Sequence, residues 1–182
     1  MKILGISGTL VGSKPALIVQ QLLELTEQQL PSASYAFIDA KNYDLQFCDG
    51  RPTEAYNEDT QRFIAEVEQA DAYIIGTTIL HGTMPGVLKN IFELVPMKSF
   101  ENKVVLFAAN GGNELHYLAV ENYIKPVANY LNMYTLPQYA FVLSNEFEGQ
   151  KIEANKYEQL KKLAEQYASF ASKLLPIKEE VK

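Results

Sequence analysis

Asp71–Leu94 reads DAYIIGTTILHGTMPGVLKNIFEL and strings together three kinds of segment. Ala72 to Gly76 is a short apolar run that suits a buried strand. Thr77 to Thr83 follows neither helical nor strand period. A Pro85-Gly86 pair then leads into Val87 to Leu94, where apolar residues recur at helical spacing. Strand, loop of ligand size and helix form one unit of an α/β protein, and ligands in that class sit at loops leaving the carboxyl ends of strands.

The same alternation extends both ways. Upstream, Lys2 to Ile6 predicts a buried strand, Ser7 to Pro15 (SGTLVGSKP) a small polar loop, and Ala16 to Leu30 an amphipathic helix stopped by Pro31. Ser34 to Ile38 is a second strand. Asp39 to Asn57 is a long irregular connection before a helix at Glu58 to Gln69. Downstream, Lys103 to Ala109 is apolar on both faces and reads as a central strand. Asn110 to Glu114 (NGGNE) forms a third polar loop. Leu115 to Leu131 reads as a long helix bent or broken at Pro126, Tyr139 to Leu143 as the last strand, and Lys156 to Leu174 as the final helix. The chain is thereby expected to be one domain over residues 1–182, with residues 176–182 a frayed tail. Five βα units predict a parallel sheet of order 2-1-3-4-5 with helices on both faces. That order sets the first and third loops side by side, with the Asn110 loop flanking them.

Composition narrows the partners. Sixteen basic against 22 acidic side chains leave a net charge of −6, which argues against nucleic acid and anionic membrane surfaces. A single cysteine, Cys48, excludes an internal disulfide, and two histidines, His81 and His116, have no metal-ligand spacing. The N-terminal apolar run is too short for a signal peptide, and no run is long enough to span a bilayer, so a cytoplasmic protein is expected.

Each loop suggests a ligand moiety. Ser7, Thr9, Ser13 and Lys14, with the backbone amides of the turn and the helix entry at Pro15 and Ala16, suit a phosphomonoester at a helix N-terminus. The phosphate-binding patterns G-x-x-x-x-G-K-[ST] and G-x-G-x-x-G are both absent. Thr77, Thr78, Ile79, Leu80, His81, Gly82 and Thr83 suit a planar ring, with backbone for its edge and apolar side chains for its face. His81 could be a ligand contact, a proton donor or a surface residue. Asn110, Gly111 and Gly112 allow close backbone approach. Taken singly, the first and third loops read equally well as capped helix entries, and the Thr77–Thr83 loop is a weak signal.

With these residues in place, the sequence resembles the NADPH-dependent FMN reductase family. That family runs T-P-E-Y-N-x-S-[IM]-P-G-x-L-K-N in this region. Here Thr77, Gly82, Thr83, Met84, Pro85, Gly86, Leu88, Lys89 and Asn90 stay in step without gaps. Gly8, Thr9 and Ser13 match the family's phosphate loop in type. His116, Tyr117, Leu118 and Pro126 resemble a subgroup's following helix, so the likeness runs in order from Met1 to the region of Asn145. It departs at Val11, where many members carry arginine, and at Thr78–His81, which replace Pro-Glu-Tyr-Asn.

The resemblance implies a flavodoxin-like three-layer sandwich that binds FMN through the three loops. It implies hydride transfer from NADPH or NADH through FMN to a small-molecule acceptor such as a flavin, quinone or azo dye, and a homodimer or homotetramer. The flavin carries the chemistry, so no catalytic side chain and no metal is assigned. A non-enzymatic electron carrier or flavin sensor, or a domain that has lost the cofactor, is the alternative.

Overall fold

A computed structural model describes residues 1–175; the expected tail at residues 176–182 lies outside the described residues. The chain runs β1 (Lys2–Ser7), α1 (Lys14–Gln29), β2 (Ser34–Asp39), α2 (Glu58–Glu68), β3 (Ala72–Thr78), α3 (Gly86–Leu94), β4 (Val104–Gly111), α4 (Lys125–Tyr130), β5 (Tyr134–Thr135), β6 (Ala140–Leu143), β7 (Phe147–Glu148), β8 (Lys151–Ile152) and α5 (Ala154–Leu174). The main sheet is parallel in the expected order, β2-β1-β3-β4, followed by β5 and β6, which both pair with β4.

Strand alternation builds two cores. Ile3, Ile74, Val104 and Leu106 face Ile18, Val19 and Leu22 of α1 and Leu160, Leu163 and Tyr167 of α5. Their neighbours Leu4, Ile6, Tyr73, Ile75, Val105 and Phe107 face Phe63 and Ile64 of α2, Leu88 and Ile91 of α3 and Ala128 of α4. Each fully buried aliphatic side chain contributes about 1.5–3 kcal/mol, which explains why the central strands are apolar on both faces.

The second half departs from expectation in three places. The fifth strand is split, because Pro137 lacks an N–H for the ladder and Lys125 Nζ takes its carbonyl at 2.6 Å. Tyr134–Thr135 therefore pairs with the start of β4 and Ala140–Leu143 with its end. The helix expected over Leu115–Leu131 does break at Pro126, but its first part is not α-helix: a 3-10 turn at Glu114–His116 and a π turn at Val120–Ile124 precede α4. Pro126 cannot donate to Asn122, and the chain widens one turn early, with Lys125 N bonding Val120 O. A small antiparallel hairpin, β7–β8, precedes α5 and was not legible as strand.

Candidate functional site

The carboxyl ends of β1 and β3 are joined by close backbone contacts. Gly8 N donates to Gly76 O at 2.7 Å, and Thr77 Oγ1 donates back to Gly8 O at 3.2 Å. Gly76 also lets α1 start against the sheet: a Cβ there would lie 2.3 Å from Val19 Cγ2 and 3.1 Å from Pro15 O. The first helix is thus seated with its N-terminus at the strand ends, where backbone amides and the helix dipole favour an anion.

Around this N-terminus the hydroxyls divide their work. Thr9 is buried, and its Oγ1 accepts from Val11 N at 3.1 Å, which shapes the loop from within. Ser13 is exposed and makes no side-chain cap bond to α1, whose first turn carries no acid. Ser7 is fully buried, and its Oγ has no hydrogen-bond partner. Lys14, Pro15 and Ala16 belong to the first turn of α1 rather than to the loop. Lys14 Nζ donates to Ser144 O at 2.7 Å and lies 5.0 Å from the centre of the Phe147 ring.

A second cation comes from β2. Asp39 ends that strand beside Ser7, and its Oδ1 accepts from Lys41 N at 3.2 Å, opening the one-turn helix Ala40–Asn42. Ala40 is buried in the core, so the turn is pinned. From it Lys41 Nζ donates to Gly12 O, inside the first loop. Sequence reasoning missed Lys41, although the predicted strand order already set the end of β2 beside that of β1.

The third-strand loop is shorter than the period suggested, because Thr77 and Thr78 are strand residues paired with Ala109 and Asn110. Ile79 is buried, and its N–H donates to Asn110 O at 3.0 Å. Leu80 and Thr83 exchange two backbone bonds, of 3.0 and 3.1 Å, around His81 (φ 49°) and Gly82 (φ 82°). Positive φ at both central positions makes this a type I′ turn. His81 is exposed at its tip, as the turn requires.

The fourth-strand loop is also partly strand, since Asn110 and Gly111 pair with Val142 and Leu143. Asn110 is buried; its Nδ2 donates to Val142 O at 2.9 Å, and its Oδ1 accepts from Ser144 Oγ at 3.4 Å. Gly111 faces Phe141, 2.5 Å from where a Cβ would sit, whereas Gly112 is exposed with open space around it. Asn113 caps the following turn through Leu115 N at 2.9 Å. His116 Nδ1 is buried without a partner.

The fold therefore brings the three predicted loops to one edge of the sheet. The phosphate-type end has an uncapped helix, an orphaned buried hydroxyl and two lysines whose hydrogen bonds go to carbonyls rather than carboxylates, so a phosphate fits it. Among the described residues, no group of three His, Cys, Asp or Glu could hold a metal, and no helix is long and apolar enough to cross a membrane. A hollow of about 570 Å³ lies elsewhere, between the split strand at Leu136–Gln138 and Gln166 and Phe170 of α5.

The sequence profile described as NADPH-dependent FMN reductase matches residues 1–148. An NAD(P)H-dependent FAD/FMN reductase of Geobacillus thermodenitrificans is 43% identical over 147 residues, covering 81% of this chain and 80% of the relative. Among solved structures, an oxidoreductase from Corynebacterium diphtheriae superposes with TM-score 0.80 at 15% identity, over 95% of this chain and 98% of that one. A flavodoxin from the domain Archaea does so with TM-score 0.65 at 11% identity, over 94% and 99%. These two share the fold, which is flavodoxin-like.

Proposed function

The chain belongs to the NADPH-dependent FMN reductase family, and from that premise we propose that it binds FMN at the carboxyl edge of its sheet and reduces it with NADPH or NADH for a small-molecule acceptor. The observation that carries this reading is the convergence of three backbone loops on one edge, held by the Gly8–Gly76, Thr77–Gly8 and Ile79–Asn110 bonds. When bound, FMN supplies hydride acceptance and onward electron transfer.

The side chains bind and orient. Ser7, Thr9, Ser13 and the start of α1, Lys14 to Ala16, form the phosphate end. Thr77 to Thr83 and Asn110 to Gly112 border the ring. Within them the hydroxyls of Thr9 and Thr77 act indirectly, because both are spent on backbone within the site. Ile79 and half-buried Leu80 supply apolar surface at the ring end, and a flavin, quinone or azo acceptor would meet the flavin there.

A homodimer or homotetramer is part of the reading. Its support is the run of exposed apolar side chains over the broken helix: Leu115, Tyr117, Leu118, Tyr123 and Tyr130. Such aromatic surface is enriched at protein interfaces. A cytoplasmic location completes the proposal, resting on the lone cysteine.

The test is an anaerobic absorbance titration of FMN-loaded protein. A flavin spectrum that bleaches on adding NADPH or NADH, and recovers with a quinone or azo dye, is the expected result. Protein that takes up no FMN sinks the proposal, and bound FMN that neither nucleotide bleaches reduces it to a carrier.

A further inference from the structure

We infer that Lys41, reaching over from the end of β2, is the cation that holds the phosphate of the bound nucleotide; this rests on the FMN-binding reading above. Two lysines border the first loop, and among the described residues neither has a carboxylate within salt-bridge distance. Both donate instead to backbone carbonyls, Lys14 to Ser144 O and Lys41 to Gly12 O. A phosphate oxygen is a stronger acceptor than a carbonyl, because the hydrogen bond is then charge-assisted on both sides. Either lysine could make the exchange on chemical grounds, and their placements decide between them.

Lys14 is partly buried over the Phe147 ring, and its bond spans 130 residues to tie α1 to the turn after β6. Breaking that bond would loosen a join between distant parts of the chain. Lys41 is exposed and already bonded to the loop that presents the open helix N-terminus. Its backbone is held by the Asp39 cap and by buried Ala40, so only the flexible stem has to move. Gly12, the residue it touches, is one position from uncapped Ser13. Ser7, with its orphaned hydroxyl, is the register partner of Asp39 on the neighbouring strand. An open helix end, a buried hydroxyl without a partner and a movable cation therefore meet at one place.

The experiment compares FMN with riboflavin, which lacks the phosphate, by quenching of flavin fluorescence in wild-type protein and in Lys41→Ala, Lys41→Arg and Lys14→Ala. Lys41→Ala is expected to weaken FMN binding about tenfold or more, the size of a lost charged hydrogen bond. Riboflavin affinity should stay at the wild-type level, and Lys41→Arg should restore most of the FMN affinity. The FMN loss should also shrink as salt is raised, because the pair is exposed. An FMN loss below about threefold in Lys41→Ala, or an equal loss for riboflavin, overturns the inference. A larger loss in Lys14→Ala confined to FMN also overturns it, by giving the role to Lys14. Wild-type protein that binds neither flavin would overturn the FMN reading itself, a result distinct from all of these.

Discussion

The two halves of the sheet solve the same problem differently. From Lys2 to Thr78 the strands are continuous, β1 and β3 are buried on both faces, and Val19 and the Pro15 carbonyl of α1 leave no room for a Cβ at Gly76. From Gly112 to Leu143 the helix is broken into three pieces, the edge strand is split at Pro137, and Leu115, Leu118, Tyr123 and Tyr130 are exposed. The first half holds the proposed phosphate end. The second half carries Pro126 and Pro137, each of which removes a backbone N–H from a helix or a strand ladder. Irregularity here follows from where proline interrupts the backbone bonds.

The sharpest way to break that comparison is to crowd both halves. Gly76→Val should lower stability by about 2–3 kcal/mol through overpacking against Val19, seen as a lower urea midpoint at unchanged slope. Gly112→Ala, with open space around it, should stay within about 0.5 kcal/mol. Similar costs at the two sites would show that the first half is no tighter than the second.

Alkali offers a second test. Burial pushes Tyr73 of β3, and Tyr167 of α5 whose hydroxyl donates to the Tyr73 carbonyl, well above the usual tyrosine range, and holds Tyr43 up at about 12, with help from its bond to Glu66. A folded-state value above the unfolded one means that stability is fully present below about pH 10 and lost as pH rises toward the folded value. Unfolding free energy should therefore fall above pH 10, by up to about 1.4 kcal/mol per pH unit for each protected tyrosine. Tyr167→Phe should make that slope shallower by one such contribution, measured by urea unfolding between pH 9 and 12. A slope that this substitution leaves unchanged would mean Tyr167 is not shielded.

Ser7 separates folding from binding inside the packed half. Its buried hydroxyl has no partner, so Ser7→Ala should leave ligand-free stability unchanged or raise it by about 1 kcal/mol. The thermal shift produced by saturating FMN should shrink in the same variant. A lower ligand-free melting point would show that Ser7 supports the fold itself.

One modest and one small effect are expected at the turn linking β3 to α3. Gly82→Ala should cost about 1–2 kcal/mol, because φ is positive there and nothing crowds the site. His81→Asn should change stability by less than about 0.5 kcal/mol, since asparagine tolerates the same backbone. Turnover that survives His81→Asn would identify His81 as a turn residue; a steep loss would give it a part in the chemistry.

Much of the fold could be read directly. Alternating βα units, the apolar faces of Ile74–Ile75 and Val104–Phe107, and Pro85-Gly86 before α3 all agree with the structure. Such signals are local: a strand or helix declares itself within a few residues through its period. Pro137 was visible in the sequence, but its effect needed Lys125 to capture the carbonyl. The His81-Gly82 pair is not among the strong two-residue turn signals, which favour Asn-Gly and Asp-Gly, so the I′ turn passed as an unstructured loop. The strand identity of Thr77, Thr78, Asn110 and Gly111 likewise waited on their partners, since polar residues at a strand end carry no period of their own.

By itself, then, the sequence determined the class of sheet, its strand order and which loops meet, because each rests on periodicity and on topological rules that act segment by segment. Tertiary structure decided which groups at that meeting point are free. It committed the hydroxyls of Thr9 and Thr77 to backbone, turned Lys14 toward Ser144, and delivered Lys41 to Gly12 across 29 residues of sequence. Those outcomes depend on side-chain reach between strands in a fixed register, and no spacing along the chain encodes that reach.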